Sequence, residues 1–328
     1  MTNEQNKTWE SAQAAITNLR EEVARTIVDQ RRVIDEMLMG LMCRGHCLMV
    51  GVPGLAKTLL VDTLGKCLGL SFHRVQFTPD LMPADIIGSE ILQQTADGSR
   101  HLEFTPGPVF ANLILADEIN RTPPKTQSAL LEAMQEKQVT VAGKTMPLPD
   151  PFLVFATQNP IEHEGTYPLP EAQLDRFFFN IVIDYPGFEQ EREIVLRTTA
   201  RERATPAQVL NPEQIAEMQE MIFDIPAPDH VIDAILKITH GSRPTSDLAD
   251  DFIRRCVEWG AGPRASQTLT LAAKACAFIK GEAAASLEDV REVAMPALRH
   301  RVLPSYSATG DGVTVEKIIQ HLLDKHLG

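Results

Sequence analysis

A glycine-containing loop, Gly51-Val-Pro-Gly-Leu-Ala-Lys57-Thr58, constrains the fold of this chain more than any other segment. It follows the short apolar run 47–50, which predicts a strand, and it precedes an apolar-periodic stretch that predicts a helix over 58–68. Strand, loop and helix in this order open an α/β unit that binds phosphate. In such units Lys57 would reach the β- and γ-phosphates of a nucleotide, and the Thr58 hydroxyl would ligate Mg²⁺. The predicted binding residues are Gly51, Val52, Pro53, Gly54, Leu55, Ala56, Lys57, Thr58 and Leu59.

Position 56 departs from the usual pattern of this loop. Ala56 stands directly before the lysine, where a glycine is common. We expect its methyl group to tolerate a right-handed loop conformation, so that the loop keeps its phosphate-binding shape.

Two further predicted strands end in polar residues. The apolar run 113–116 leads into Asp117 and Glu118, of which Asp117 would hold magnesium through water and Glu118 would polarise an attacking water. The run 152–156 leads into Thr157-Gln-Asn159, whose amide could orient the water or sense the γ-phosphate. A turn before a proline would also account for Asn159. Together with the loop, the paired carboxylates favour hydrolysis over simple nucleotide binding.

Strand signals alternate with helical ones up to residue 186. Predicted strands at 47–50, 71–77, 113–116, 152–156 and 178–183 are separated by helices such as 125–137, which indicates a parallel, helix-covered sheet. Two excursions predict hairpins. They span about 89–104, around Asp97-Gly98, and about 138–148.

Beyond residue 186 the pattern becomes helical. We predict a flexible segment over 1–8, an α/β domain over 9–186 and an all-α domain over 187–328, with Thr8 capping the first helix and Ser286 with Asp289 forming a capping box. The expected helices of the second domain cover 189–201, 212–223, 229–240, 248–259, 264–280, 287–303 and 315–326.

The charge and the cysteines exclude some function classes. The formal net charge is −13, from 31 basic and 44 acidic residues, and no basic block could neutralise a nucleic acid backbone. Five cysteines without a CxxC pair favour buried, reduced thiols. Cys43 and Cys47 have helical spacing and could share a metal, but no second ligand pair is nearby. With no signal-like N-terminus and no run of about 20 apolar residues, we expect a cytoplasmic protein that does not insert into a membrane.

The motifs GVPGLAKT, LILADEINR, ATQNP, LPEAQLDRF and GPRAS, in this order, resemble the AAA+ ATPases and in particular the MoxR family. The resemblance extends from about residue 28 to the C-terminus and includes the stretches 74–88 and 159–171. It implies a P-loop ATPase domain followed by a helical lid, with ATP and Mg²⁺ as cofactors. Lys57 and Thr58 match the Walker A positions, Asp117 and Glu118 match Walker B, and Asn159 matches sensor 1.

The resemblance also implies residues that act between subunits. Arg176 is similar to an arginine finger for a neighbouring subunit, with Arg121 as a second candidate, and Arg264 is similar to the sensor 2 arginine of the lid. Asp29 and Gln30 look like the segment that contacts adenine. A ring, in this family a hexamer, is implied, as is a chaperone-like role in maturation, assembly or metal insertion with a von Willebrand factor A domain partner. No catalytic role is assigned to histidines such as His73, His101 and His163.

Three other functions compete with a remodeller of protein substrates. A nucleic-acid motor could share both hairpins, although the net charge of −13 argues against it. A motor subunit like that of magnesium chelatase differs only in its partner. A scaffold that binds ATP without turnover is disfavoured by the presence of Asp117, Glu118 and Arg176.

Overall fold

Five strands form one parallel sheet in the computed structural model of the chain, which describes residues 3–94, 100–161, 165–199 and 205–328. The order across the sheet is β2-β5-β8-β1-β9, and every neighbouring pair is parallel. The predicted parallel, helix-covered sheet is confirmed. The strands are β1 (Cys47–Val50), β2 (Phe72–Gln76), β3 (Gly88–Gln94), β4 (Arg100–Pro106), β5 (Leu113–Asp117), β6 (Gln138–Val141), β7 (Lys144–Pro147), β8 (Leu153–Gln158), β9 (Phe179–Val182), β10 (Val257–Trp259) and β11 (Leu303–Pro304).

Helices precede, separate and follow these strands, and a 3₁₀ turn covers Ile119–Arg121. The expected capping box at the start of α12 is confirmed, because Ser286 and Asp289 bond each other's backbone N–H groups. The helices are α1 (Asn3–Thr26), α2 (Arg31–Met42), α3 (Lys57–Cys67), α4 (Pro83–Ile87), α5 (Pro124–Glu136), α6 (Glu171–Leu174), α7 (Phe188–Thr198), α8 (Pro212–Asp224), α9 (Asp229–Gly241), α10 (Asp251–Cys256), α11 (Pro263–Lys280), α12 (Leu287–Leu298), α13 (Tyr306–Gly310) and α14 (Val315–Leu327).

The N-terminal helix begins earlier than its apolar pattern indicates. α1 starts at Asn3, so residues 3–8, expected to be flexible, are helical, and Thr8 is not its cap. Among the residues whose burial is described, the buried face of α1 begins at Ala12, so the apolar pattern marks only the later part of the helix.

Both hairpins occur where they were expected. β3 pairs with β4 and β6 pairs with β7, each antiparallel. The Asp97-Gly98 turn expected at the tip of the first hairpin lies outside the described residues. The Lys144 ammonium lies 3.6 Å from the Glu90 carboxylate, which connects the second hairpin to the first.

The helical part contains a small sheet that the sequence analysis did not anticipate. The helix expected over 248–259 is α10 followed by β10, and the one expected over 287–303 ends at Leu298 before β11. β10 and β11 pair antiparallel. Three- and two-residue strands continue the apolar pattern of the preceding helices, so periodicity alone does not separate them.

The two faces of the sheet are covered differently. Leu113 and Leu115 point into a cluster that also contains buried residues of α1, α2, α3 and the helices from α8 onward. Ile114 and Ala116 point to the other face, into a smaller cluster with α5. One apolar core therefore runs from the sheet into the helical part, and the carboxyl ends of the strands remain uncovered by it.

All five cysteines are free and buried. Cys43 follows the end of α2 and Cys47 lies in β1, so the two do not share a helix as their spacing indicated. Across the described ranges, no group of three or more His, Cys, Asp or Glu side chains could hold a metal ion. No helix in this part of the chain is long and apolar enough to cross a membrane.

Candidate functional site

A cavity of about 430 Å³ lies at the carboxyl ends of the sheet strands. It brings together residues from three motifs that are far apart in the sequence, as predicted for the loop, for Asp117 and Glu118, and for Asn159. A cavity at this edge is the usual ligand position in open parallel sheets. Its lining residues are Pro53, Gly54, Leu55, Ala56, Lys57, Thr58, Leu59, Arg74, Gln76, Asp117, Glu118, Thr157 and Asn159.

The loop owes its shape to close packing and to left-handed residues. A Cβ at Gly51 would meet the Ile183 carbonyl oxygen at 2.7 Å, so only glycine fits there. Gly54 has a φ of 88°. Ala56 is also left-handed, with φ 56° and ψ 23°. The expected right-handed conformation is therefore wrong, because the chain must reverse its hand to enter α3, and the methyl group makes that conformation strained.

Lys57 bonds its own loop. Its ammonium donates to the Gly51 carbonyl at 2.5 Å and to the Val52 carbonyl at 3.0 Å. Partial burial lowers the pKa of Lys57, and the carboxylates of Asp117 and Glu118 oppose this effect. Among the described residues no side chain caps the N-terminus of α3. The first N–H groups of this helix and the Lys57 ammonium are therefore available to an anion.

A hydroxyl from the neighbouring strand holds the Asp117 carboxylate and the backbone of Glu118. The Thr157 hydroxyl donates to Asp117 Oδ1 at 2.6 Å and accepts from the Glu118 N–H at 2.8 Å. Glu118 is left-handed, with φ 58° and ψ 50°. A non-glycine residue in this region is strained, and such strain is concentrated at functional sites. The left-handed conformation of Glu118 turns the chain from the end of β5 into the following 3₁₀ turn.

Asn159 is buried at the tip of β8, and its side-chain oxygen accepts from the Ile161 N–H at 3.2 Å. This bond is the turn that a residue before proline commonly forms. Asn159 also lines the cavity, so its role toward the attacking water or the γ-phosphate stays a prediction beside the turn.

Arg74, Gln76 and Thr157 are cavity residues to which no role is predicted from the sequence. Arg74 donates from Nε and Nη2 to Asp117 Oδ2 at 3.0 and 2.6 Å. Gln76 donates to Glu118 Oε2 at 2.8 Å. The sequence pattern that could have identified Arg74 and Gln76 is a pair of long polar side chains, two residues apart, on a predicted strand that could lie beside β5. The order of strands in the sheet had to be known to use it.

The other predicted residues lie elsewhere. Arg176 is exposed and Arg264 bonds Asp175 at 3.2 Å, and neither lines the cavity. Arg121 donates to Glu118 Oε2 of its own chain at 2.9 Å. Asp29 and Gln30 line a second cavity of about 380 Å³ between α1 and α2, whose lining includes no residue of the glycine-containing segment 51–58. Their adenine contact stays a prediction.

No histidine of the described ranges lines this cavity. His73 bonds the Pro108 carbonyl at 2.9 Å and His101 is exposed. His163 lies outside the described residues. The remaining groups, one ammonium and free helix N–H groups facing two carboxylates and a threonine hydroxyl, suit a polyphosphate together with a hard divalent cation.

Comparisons with known proteins agree with this chemistry. Residues 46–179 match the family described as "ATPase family associated with various cellular activities (AAA)", and residues 250–322 match the AAA lid domain. The chain is 45% identical to Chaperone MoxR1 of Mycobacterium tuberculosis over 305 residues, which cover 92% of this chain and 79% of the relative. It is 31% identical to Protein MoxR of Paracoccus denitrificans, over 85% of this chain and 86% of the relative.

A solved structure is similar over nearly the whole length. The crystal structure of a candidate ATPase from Cytophaga hutchinsonii superposes with a TM-score of 0.92 and 40% sequence identity. The match covers 98% of this chain and 97% of the chain in that structure. The ATPase domain, the lid and the hydrolysis of ATP follow from these likenesses and from the cavity. The chain belongs to the MoxR family of AAA+ ATPases.

Proposed function

We propose that this ATPase assembles into a hexameric ring, hydrolyses Mg–ATP at sites between subunits and uses the energy to remodel protein partners. The observation that carries the proposal is the position of Arg176. Its side chain is exposed and absent from the lining of the cavity that holds the loop. An arginine that stabilises phosphoryl transfer must approach the phosphates, so Arg176 would serve the site of a neighbour.

The cavity fits a magnesium–nucleotide complex. Its volume of about 430 Å³ is in the range of small-molecule sites. Gly54 lines the cavity, and a Cβ added there would meet no atom within 4 Å. Thr58 would hold the ion directly and Asp117 through water, since both offer the oxygen ligands that Mg²⁺ prefers. The bound ion would neutralise charge on the phosphates.

The groups that would act on the phosphates and on the attacking water can then be named. The N–H groups at the start of α3 would bind the phosphates, and Lys57 would leave the Gly51 and Val52 carbonyls to join them. Glu118 would orient and polarise the attacking water, with Asn159 beside it. Removal of the Glu118 carboxylate should therefore stop hydrolysis while nucleotide binding continues.

Arg264 supports the same intersubunit arrangement. It bonds Asp175, the residue next to Arg176, rather than the cavity of its own chain. We propose that Arg264 and Arg176 approach one neighbouring site together, with Arg121 acting on its own Glu118. This assigns the trans role to Arg176 and changes the role expected for the lid arginine.

The remodelling role rests on the relatives. One of them is named Chaperone MoxR1. We propose a chaperone-like function in maturation, assembly or metal insertion, with a von Willebrand factor A domain partner, and domains spanning 9–186 and 187–328. Buried free thiols are consistent with work in the cytoplasm, because disulfides are rare in reducing compartments.

A subunit-mixing experiment tests the shared site. Lys57→Ala rings should not bind ATP, and Arg176→Ala rings should bind it without turnover. In equimolar mixed rings about a quarter of the sites combine an intact Lys57 with an intact Arg176 from the neighbour, so about a quarter of the wild-type ATPase rate should return. Arg197→Ala, another exposed arginine, is the control and should retain the rate. Mixed rings without activity would refute the trans geometry.

The partner is tested with the Glu118→Gln protein held in its ATP state. A von Willebrand factor A domain protein of the same cell should co-purify with this variant and not with Lys57→Ala. DNA- or RNA-stimulated hydrolysis would instead favour a nucleic-acid motor and reject protein remodelling.

A further inference from the structure

Arg74 neutralises one of the two carboxylates at the cavity. It lies on β2, where Gln76 is directly opposite Asp117 in the sheet register. The Arg74 guanidinium places Nε and Nη2 on the same oxygen of Asp117, at 3.0 and 2.6 Å. Its side chain is 48% exposed and lines the cavity, whereas that of Asp117 is 13% exposed.

Asp117 has little hydrogen-bonding capacity left in this arrangement. Thr157 occupies its other oxygen at 2.6 Å, so the carboxylate accepts three hydrogen bonds. A carboxylate offers about four acceptor positions. The cation beside Asp117 also repels a second cation, so a magnesium-bound water and Arg74 compete for the same group.

The same guanidinium reaches the second carboxylate through Gln76. Arg74 Nη2 donates to Gln76 Oε1 at 2.8 Å, which orients the amide so that its nitrogen donates to Glu118 Oε2 at 2.8 Å. Arg121 donates to that oxygen as well. A continuous set of contacts thus joins Asp117, Arg74, Gln76 and Glu118.

We propose that Arg74 is a positioning residue that competes with magnesium–nucleotide for Asp117. It holds Asp117 when the nucleotide is absent and gives it up when the complex binds. Gln76 then loses the partner that orients it and releases Glu118. Binding of magnesium–nucleotide at Asp117 thereby changes the contacts of Glu118, the residue that polarises water. The inference rests on the proposed Mg–ATP function.

The exchange is feasible because the Arg74 side chain is half-exposed, so water reaches the guanidinium although Asp117 is buried. Ion pairs that water can reach contribute little to stability, so the Arg74 guanidinium can leave Asp117 at small cost. A guanidinium that only supported Asp117 would have the opposite consequence for metal binding, since its removal would disorder the carboxylate. The sign of the change in magnesium requirement distinguishes the two roles.

The test is a Mg²⁺ titration of nucleotide binding with Arg74→Met, which keeps the length of the side chain and removes its charge and donors. Binding of a fluorescent, non-hydrolysable ATP analogue is followed while MgCl₂ is raised from zero. Because the competing cation is gone, the half-saturating Mg²⁺ concentration should fall about fivefold. Arg74→Lys should give a smaller fall. Arg197→Met, an exposed arginine paired with Glu193, is the matched control and should leave the concentration unchanged.

An unchanged or increased Mg²⁺ requirement in folded Arg74→Met protein overturns the inference and leaves the proposed function intact. If Arg74→Met does not fold, Arg74→Lys alone decides by the sign of its shift. A wild-type protein whose nucleotide binding ignores Mg²⁺ would refute the magnesium part of the proposed function itself. The readout is binding, so a loss of turnover for other reasons cannot imitate the expected result.

Discussion

Asp117 and Asp175 each accept hydrogen bonds from an arginine, but the two arginines differ in their exposure to water and in their other partners. The Arg74 side chain at Asp117 is 48% exposed, and within the described residues its hydrogen bonds go to side chains alone. The Arg301 side chain at Asp175 is 2% exposed, and it also donates to carbonyls of four residues, namely Asp175, Phe177, Phe178 and Ala297. The first pair can exchange partners, whereas the second fastens two parts of the fold.

The two residues before Arg301 make further contacts to the same segment. Arg299 donates to the Asn180 carbonyl at 3.1 Å, and His300 bonds the Phe177 carbonyl at 2.9 Å. Three consecutive residues after α12 thus cover the segment that leads into β9, the edge strand of the sheet. We call these three residues and the segment 175–180 the lid junction. The carboxyl edge of the sheet, by contrast, leaves its charged groups facing the cavity.

The largest predicted effect comes from the lid junction. Arg301→Ala leaves the bonded carbonyls and Asp175 without their buried donor, so the free energy of unfolding should fall by about 3–5 kcal/mol. Urea denaturation measures it. The control is Arg264→Ala, which removes the half-exposed partner of the same Asp175 and should cost less than about 1 kcal/mol. Equal losses in the two variants would show that burial does not distinguish the pairs.

A smaller effect should follow acidification, because two buried histidines are kept neutral. Burial lowers the pKa of His46 to about 4 and that of His300, in the lid junction, well below its ordinary value. A pKa that is lower in the folded state gives stability that is complete above the unfolded value of about 6.5 and is lost as pH falls toward the folded value. For His46 the loss is about 3 kcal/mol in total.

Urea denaturation between pH 7.5 and pH 4.5 checks this expectation. His46→Gln should be less stable at neutral pH and should show a shallower decline on acidification, since its amide does not titrate. A decline as steep as that of the wild type would mean that His46 does not supply the pH dependence.

How far the sequence predicts this molecule depends on the range of the interaction. Strand positions, the loop and the grouping of Lys57, Asp117 and Asn159 follow from local patterns, because parallel strands bring their carboxyl ends to one edge. Arg74 and Arg301 were not identified. Each is a charged residue whose partner is 43 or 126 positions away, and only the order of strands and the docking of α12 select it.

Local backbone conformation is the other property that the sequence did not predict. The handedness of Ala56 is set by the geometry of the turn into α3, and an alanine gives no signal for φ 56°. The strand β10 was likewise concealed by the apolar pattern that it shares with α10. Both errors concern a few residues whose conformation is imposed by their neighbours in space.

The smallest predicted effect returns to the strained carboxyl edge. Ala56→Gly removes a left-handed alanine conformation that costs about 1 kcal/mol, while the added freedom of the unfolded chain offsets about half of this or more. We expect a net gain of no more than about 0.5 kcal/mol in urea denaturation. Gly54→Ala is the opposite control. Its Cβ would meet no atom within 4 Å, so a loss of about 1 kcal/mol there reports backbone strain alone. If Ala56→Gly instead loses as much as Gly54→Ala, the Ala56 methyl group stabilises the loop and the carboxyl edge does not store strain at this position.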